Sequence, residues 1–294
     1  MKQNQASRTA QYAAAFRALE TLRRPERARL FEDPFAIGFL SPGLKRAMHL
    51  AALPFCGALV RRYIDYRWPG AMTSGIARTR LIDDWLAESL RGKEGRVIIL
   101  GAGYDCRAYR IEALSRCRVL EIDHPDTQSQ KMKMLVSDFG GLPPHVKLIG
   151  ADLTKTDLRD VITGEAFASK EPAFVIWEGV THYLGEAAVD GTLRALSDVL
   201  PAGSRLVFTY LHAGLLDGSV SFWGAGISKK QVAGEGEPWV WGMDPAGMPD
   251  YLKERGFALI EDLGADDYRE RYWGQKGKRM RGFSFYRVAL ARSV

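Results

Sequence analysis

The stretch 96–125 narrows what this chain can fold into more than any other. Residues 97–100 are an unbroken apolar run, the mark of a strand buried on both faces. Gly101 and Gly103 follow as a tight turn, then a helix, then a second strand over 118–122 that ends on an acid, Asp123. Strand, glycine turn, helix and acid-tipped strand make the first half of a nucleotide-binding α/β unit. The glycines let the backbone approach a ligand closely. Asp123, 22 residues after Gly101, is placed to accept hydrogen bonds from two ribose hydroxyls. An adenosine-bearing ligand is expected.

The same alternation continues downstream. Segments 146–153, 173–178 and 204–211 read as a third, fourth and fifth strand, and 187–200 carries Val189, Leu193, Leu196 and Leu200 on one helical face. This rhythm implies a mostly parallel sheet with helices on both faces. Upstream, about 7–94, the text is helical. Ala14, Phe16, Ala18, Leu19 and Leu22 form one apolar face, and Ile82, Trp85, Leu86 and Leu90 another. Asp33-Pro34 and Ser41-Pro42 read as turn or helix starts. Residues 1–94 are therefore expected to form a helical cap or lid, and 95–294 the core of one compact unit.

An insertion after strand five is expected over about 212–243, which is rich in glycine, holds Trp223, Trp239 and Trp241, and shows no clear period. Asp244 then caps a short helix stopped by Gly256. Segments 257–261 and 283–290 read as two closing strands with no helix of convincing length between them. Five parallel strands and a closing antiparallel pair predict an α/β fold of the class I methyltransferase (Rossmann-like) type with a seven-stranded sheet. A dinucleotide dehydrogenase ends differently, and its fingerprint wants a small third residue where Cys106 stands.

Charge and cysteine content exclude several classes. The net charge is +6, but the basic residues are interspersed with acids and form no stripe with aromatics, so nucleic acid is not an expected partner. The three cysteines show no metal-ligand spacing, and no metal is expected. No apolar run approaches the ~20 residues that cross a bilayer, and the polar first residues lack a secretion signal. A cytoplasmic protein without a membrane partner is expected; the oligomeric state is open.

Three acids at strand ends, with an arginine from the helical region before them, carry the chemistry. Asp123 is the first choice for the ribose, with Glu121 two residues earlier as its rival. Asp152 occupies the matching position after strand three, where a carboxylate accepts from an adenine amino group while Leu153 packs on the ring. Glu178 ends strand four facing the cleft, placed for a ligand ammonium. Arg78 can clamp a carboxylate with its guanidinium fork.

Taken together the motifs resemble the leucine carboxyl methyltransferase superfamily, in particular its bacterial S-adenosylmethionine-dependent O-methyltransferase branch. The matching text is Ser7-Arg8-Thr9-Ala10, Arg17-Ala18-Leu19-Glu20, Leu30-Phe31-Glu32-Asp33-Pro34, Ala77-Arg78-Thr79-Arg80, Gly101-Ala102-Gly103-Tyr104-Asp105-Cys106-Arg107, Glu121-Ile122-Asp123-His124-Pro125, Asp152-Leu153 and Glu178-Gly179-Val180-Thr181-His182-Tyr183. The resemblance implies S-adenosyl-L-methionine as cofactor and S-adenosyl-L-homocysteine as product. It implies that Arg78 holds the cofactor's carboxylate, Gly101 lines its methionine portion, Asp123 takes the ribose, Asp152 and Leu153 the adenine, and Glu178 the amino end. The family commonly has an apolar pair where Thr181-His182 stand.

The expected reaction is methyl transfer to a carboxylate or hydroxyl oxygen of a small molecule. A protein C-terminal carboxylate is the alternative acceptor, and a nicotinamide-dependent oxidoreductase the alternative enzyme. A carboxylate needs no general base; a hydroxyl does, and His182 and Tyr183, then Tyr210 and His212, are the candidates.

Overall fold

The computed structural model describes residues 8–294 apart from Arg24, Pro54, Glu165, Ala166 and Ala168. Ser7, the first residue of the family text, and the polar start of the chain lie outside the described residues. Four helices come first: α1 (Arg8–Thr21), α2 (Pro42–Ala51), α3 (Cys56–Arg67) and α4 (Ala71–Leu90). The alternating part runs β1 (Arg96–Leu100), α5 (Arg107–Arg110), β2 (Arg118–Asp123), α6 (Pro125–Phe139), β3 (Val146–Gly150), α7 (Leu158–Gly164), β4 (Ala173–Trp177), α8 (Glu186–Val199) and β5 (Arg205–Leu211). It closes with α9 (Ala213–Asp217), α10 (Ala225–Gly234), α11 (Met248–Lys253), β6 (Phe257–Gly264), α12 (Ala265–Trp273), α13 (Gln275–Lys278) and β7 (Tyr286–Ser293).

The seven strands form one sheet in the order β3-β2-β1-β4-β5-β7-β6. The first five are parallel, and β7 runs antiparallel between β5 and β6. This is the class I methyltransferase fold expected from the sequence. All five residues of β1 are buried because both faces are covered. Ile98 and Leu100 point to a layer holding Val189, Leu193 and Leu196 of α8 and Leu252 of α11. Val97 and Ile99 point to the opposite layer, with Leu81, Ile82, Trp85 and Leu86 of α4 and Tyr268 of α12. The strand order reverses between β1 and β4, so the crevice beyond the carboxyl ends of β1, β2 and β4 is where such a sheet binds ligands.

The residues read as a cap divide between two jobs. α4 packs on the sheet itself, whereas Ala14, Ala18 and Leu19 of α1, with Phe39, Met48 and Ile64, form a separate apolar cluster. That cluster includes Tyr104 and Cys106 from the glycine turn, so the cap core rests directly on the turn.

Three local expectations need correction. β7 begins at Tyr286, not 283, and β6 continues three residues past 261. Two helices, α12 and α13, separate them where none was expected. α12 is dense in charge, which hides its buried side of Ala265, Tyr268 and Arg269 from a search for apolar periodicity. The segment 212–243 is not wholly irregular, since α9 and α10 lie within it, and the helix after the glycine turn is a single four-residue turn.

Leu196 is fully buried between α8 and the sheet. Leu196→Ala should cost about 2–5 kcal/mol of unfolding free energy in urea titration, the range for a cavity in a close-packed core.

Candidate functional site

The cleft begins where β1 stops. Gly101 and Gly103 sit in the left-handed region at φ 61° and 47°, which favours glycine. A side chain on Gly101 would also collide with Val180, whose isopropyl group covers it. The Gly101 N–H donates to the Ile122 carbonyl at 2.7 Å, tying the turn to the end of β2. Next to it, Asp123 accepts from the Gly103 N–H and the His124 N–H, each at 2.5 Å. Burial pushes the Asp123 carboxyl up, and those two N–H groups oppose the shift.

Arg78, Gly101, Asp123, Asp152, Leu153, Glu178, His182 and Tyr183 all line one cavity of about 1150 Å³. That exceeds the ~300–1,000 Å³ of a typical small-ligand pocket, leaving room for a cofactor and an acceptor together. Thr9, Tyr12 and Phe16 of α1 and Glu235, Glu237 and Trp239 of the insertion complete the wall. The two covers touch: Thr9 donates its hydroxyl to Glu237, and Tyr12 donates to Glu235 at 3.4 Å.

Asp152 does two things at once. It faces the cavity, and its carboxylate accepts from the Thr154 hydroxyl at 2.6 Å and the Thr154 N–H at 3.0 Å, capping the turn after β3. The hydroxyl bond is the main reason its carboxyl is held below the usual range. Leu153 packs against the apolar layer beneath it.

Glu178 stands at the centre of a buried charge network. Its Oε1 accepts from Arg78 Nε at 2.6 Å and its Oε2 pairs with Arg107 at 2.8 Å. Burial alone would raise its carboxyl, but Arg107 and Arg78 outweigh burial and hold it below the ordinary value. Arg107 also binds Asp83 of α4 at 2.8 Å and Asp105 of the turn. Burial opposes ionisation of Asp105 too, yet Arg107, Arg17 and Lys131 bring its carboxyl down to about 2. Arg17 of α1 binds Asp33 at 2.8 Å and the Tyr104 carbonyl. Arg78 and Glu178, expected to hold opposite ends of one ligand, are thus bonded to each other across the cleft. Arg17, Asp83, Asp105 and Arg107 were missed as site-building residues. The signal was present, since Arg17, Asp105 and Arg107 lie inside the family text.

Three expectations about side chains fail on geometry. Glu121 is no rival for the ribose: it is fully buried, paired with Lys131 at 2.5 Å, and lies outside the cavity lining. Its side chain and that of Asp123 share a strand face in principle, but Lys131, which also donates to the Asp105 carbonyl at 2.8 Å, draws it into the protein. Tyr210 is buried on the sheet and donates to Asp262 at 2.7 Å, and His212 accepts from the Gly214 N–H to cap α9. Neither lines the cavity.

His182 and Tyr183 do line it, on a short turn after β4. The His182 ring lies 4.2 Å from Tyr183, 5.4 Å from Tyr286 and 6.2 Å from Trp239, measured between ring centroids. Its Nδ1 is buried and has no hydrogen-bond partner among the described residues. Burial, reinforced by Arg78, pulls its pKa down to about 3. Burial pushes the Tyr183 phenol up, out of reach of neutral pH. Burial thus makes His182 a weak base and keeps the Tyr183 phenol protonated. Among the described residues no group of three or more His, Cys, Asp or Glu is arranged to hold a metal ion.

The fold is that of the class I methyltransferases. Two solved structures cover nearly the whole chain, each with a TM-score of 0.58: a DUF574 family protein from Streptomyces avermitilis, 14% identical over 95% of this chain and 97% of that one, and a candidate methyltransferase from Thermobifida fusca, 17% identical over 96% and 94%. Identities this low speak for the fold alone. The leucine carboxyl methyltransferase family profile matches residues 10–197, and the chain belongs to that family. A Frankia alni relative is 28% identical over 209 residues, covering 71% of this chain and 70% of its own. A Mycobacterium avium relative is 32% identical over 144 residues, 49% of this chain and 48% of its own. Both are named as candidate S-adenosyl-L-methionine-dependent methyltransferases. The chain therefore matches about half the length of the first curated relatives.

A histidine with a folded pKa near 3 and an unfolded one near 6.5 takes up a proton on unfolding between those values, so it makes stability fall as pH drops through that window. His182→Phe should remove about one proton of uptake from the pH dependence of the urea midpoint. Superimposable profiles for variant and parent would contradict a buried neutral ring.

Proposed function

We propose that the protein transfers the methyl group of S-adenosyl-L-methionine to a carboxylate oxygen of a small molecule. The lining fits the cofactor's chemistry. Gly101 lines the part of the cavity that would take the methionine chain, Asp123 offers a carboxylate to the ribose, and Asp152 with Leu153 offers an acceptor and an apolar face to the adenine. Arg78 and Glu178 present opposite charges to an amino acid's two ends. The cofactor would supply an already activated sulfonium methyl, so the protein's task is to align a nucleophile and exclude water.

What favours a carboxylate over a hydroxyl is the setting of the two cavity residues best placed to act as a base: burial, reinforced by Arg78, makes His182 a weak base, and burial keeps the Tyr183 phenol protonated. A carboxylate is already ionised near pH 4 and above, whereas a phenol near 10 must first lose its proton. His182 and Tyr183 then serve as hydrogen-bond donors that orient the acceptor. The cover supports a small acceptor over a protein C-terminus, because α1 and the insertion are joined above the cavity through Thr9–Glu237 and Tyr12–Glu235.

The test is to incubate the purified protein with methyl-labelled cofactor and a panel of small acids and phenols, then treat the products with mild alkali. A methyl ester releases its label as methanol; a methyl ether retains it. Label retained after alkali would overturn the carboxylate assignment. A second expectation concerns affinity: Asp123→Ala should weaken S-adenosylhomocysteine binding on the order of ten- to a hundredfold in calorimetric titration, with the circular dichroism spectrum unchanged. Unaltered affinity would remove Asp123 from the site.

A further inference from the structure

The hairpin formed by α2 and α3 exposes an apolar face that none of the described residues covers. Leu50 and Leu53 at the end of α2, Phe55 at the tip, and Leu59, Tyr63 and Tyr66 on α3 are all exposed, Phe55 by 90% and Tyr66 by 79%. Positions 55, 59, 63 and 66 follow helical spacing, so they share one side of α3 while Ile64 is buried on the other. Isolated exposed apolar residues are ordinary, but six on one hairpin face are not.

The charges around this face are nearly all positive. Arg46, Arg62 and Arg67 are exposed on the two helices, and Asp65 is the only exposed acid on them. The neighbouring α10 extends the pattern. It touches α3 through Gln231, which donates to the Arg67 carbonyl at 2.8 Å, and it carries Lys229, Lys230 and the exposed Ile227 without any acid.

We propose that this hairpin, with α10 beside it, docks on an anionic lipid surface. Phenylalanine, tyrosine and leucine on one side of a helix, flanked by arginine and lysine, match the composition of elements that lie in the membrane interface. Basic groups near such a surface gain from its negative potential. A second copy of the chain fits less well, because a two-fold contact would set Arg62, Arg67 and the lysines of each copy against their own images. Tyr63, Arg67 and Lys230 belong both to the face and to the lining of the cavity, so docking sets the mouth of the cleft against the lipid. The lack of a spanning helix among the described residues bears only on crossing a bilayer, as did the sequence expectation of no membrane partner, which rested on the absence of a long apolar run and of a secretion signal.

Vesicle co-sedimentation tests the proposal. The full chain should bind phosphatidylcholine vesicles containing one-third phosphatidylglycerol at least tenfold more than vesicles of phosphatidylcholine alone, and raised salt should reduce the difference. The double variant Phe55→Ser/Leu59→Ser should lose most of this binding while its melting temperature stays within a few degrees of the parent, and Arg62→Glu should weaken it severalfold. Equal partitioning of the parent to both vesicle types, or to neither, would overturn the proposal. So would sedimentation of the parent as a dimer that the double variant dissolves, which would assign the face to a second copy.

Discussion

The salt bridge of Glu178 to both Arg78 and Arg107 is the interaction on which the rest of this site depends. It joins three parts of the chain that are far apart in sequence: the end of β4, the middle of α4 and the turn after the glycines. Each partner is largely withdrawn from water, so the loss of any one leaves an unpaired charge in a poor solvent. From Arg107 the pairing runs through Asp83, Arg110 and Asp33 to Arg17, so that α1 is tied to the same centre. The cleft is therefore bounded by charges that fix one another before any ligand arrives. Pre-set polar groups of this kind are what an alignment-driven reaction requires.

A second consequence of burial separates the two halves of the cavity. Asp105 and Glu178 are paired with arginine and held in the charged form, whereas Asp123, hydrogen-bonded to backbone N–H groups, is pushed up by burial. On the acceptor side His182 is buried beside a cation without a carboxylate partner, and it stays neutral. The same low-dielectric interior thus keeps charge where a partner is present and removes it where none is. That asymmetry supports the proposed carboxylate acceptor, which would bring its own negative charge.

Much of this was legible in the chain. The five parallel strands, the glycine turn and the strand-end positions of Asp123, Asp152 and Glu178 follow from apolar runs and spacing, because a strand buried on both faces leaves little choice of sequence. Glu121 was misread because alternation along a strand says which face a side chain shares, and not which partner reaches it; Lys131 comes from α6, ten residues on. α12 was missed because tertiary contacts, including the burial of Arg269, replace the apolar stripe that a helix search requires. The residues of the salt-bridge centre stood in the family text, but their pairing could not be read there for a related reason. Charges in an apolar setting stand out one by one, but their pairing exists only after α4 has packed on the sheet.

The most direct measurement is a crystal structure with S-adenosylhomocysteine bound. The account predicts the ribose hydroxyls within hydrogen-bond distance of Asp123, the adenine beside Asp152 and Leu153, and the amino-acid end between Arg78 and Glu178. A ligand seated elsewhere in the cavity, with these side chains still paired as they are now and out of its reach, would contradict it.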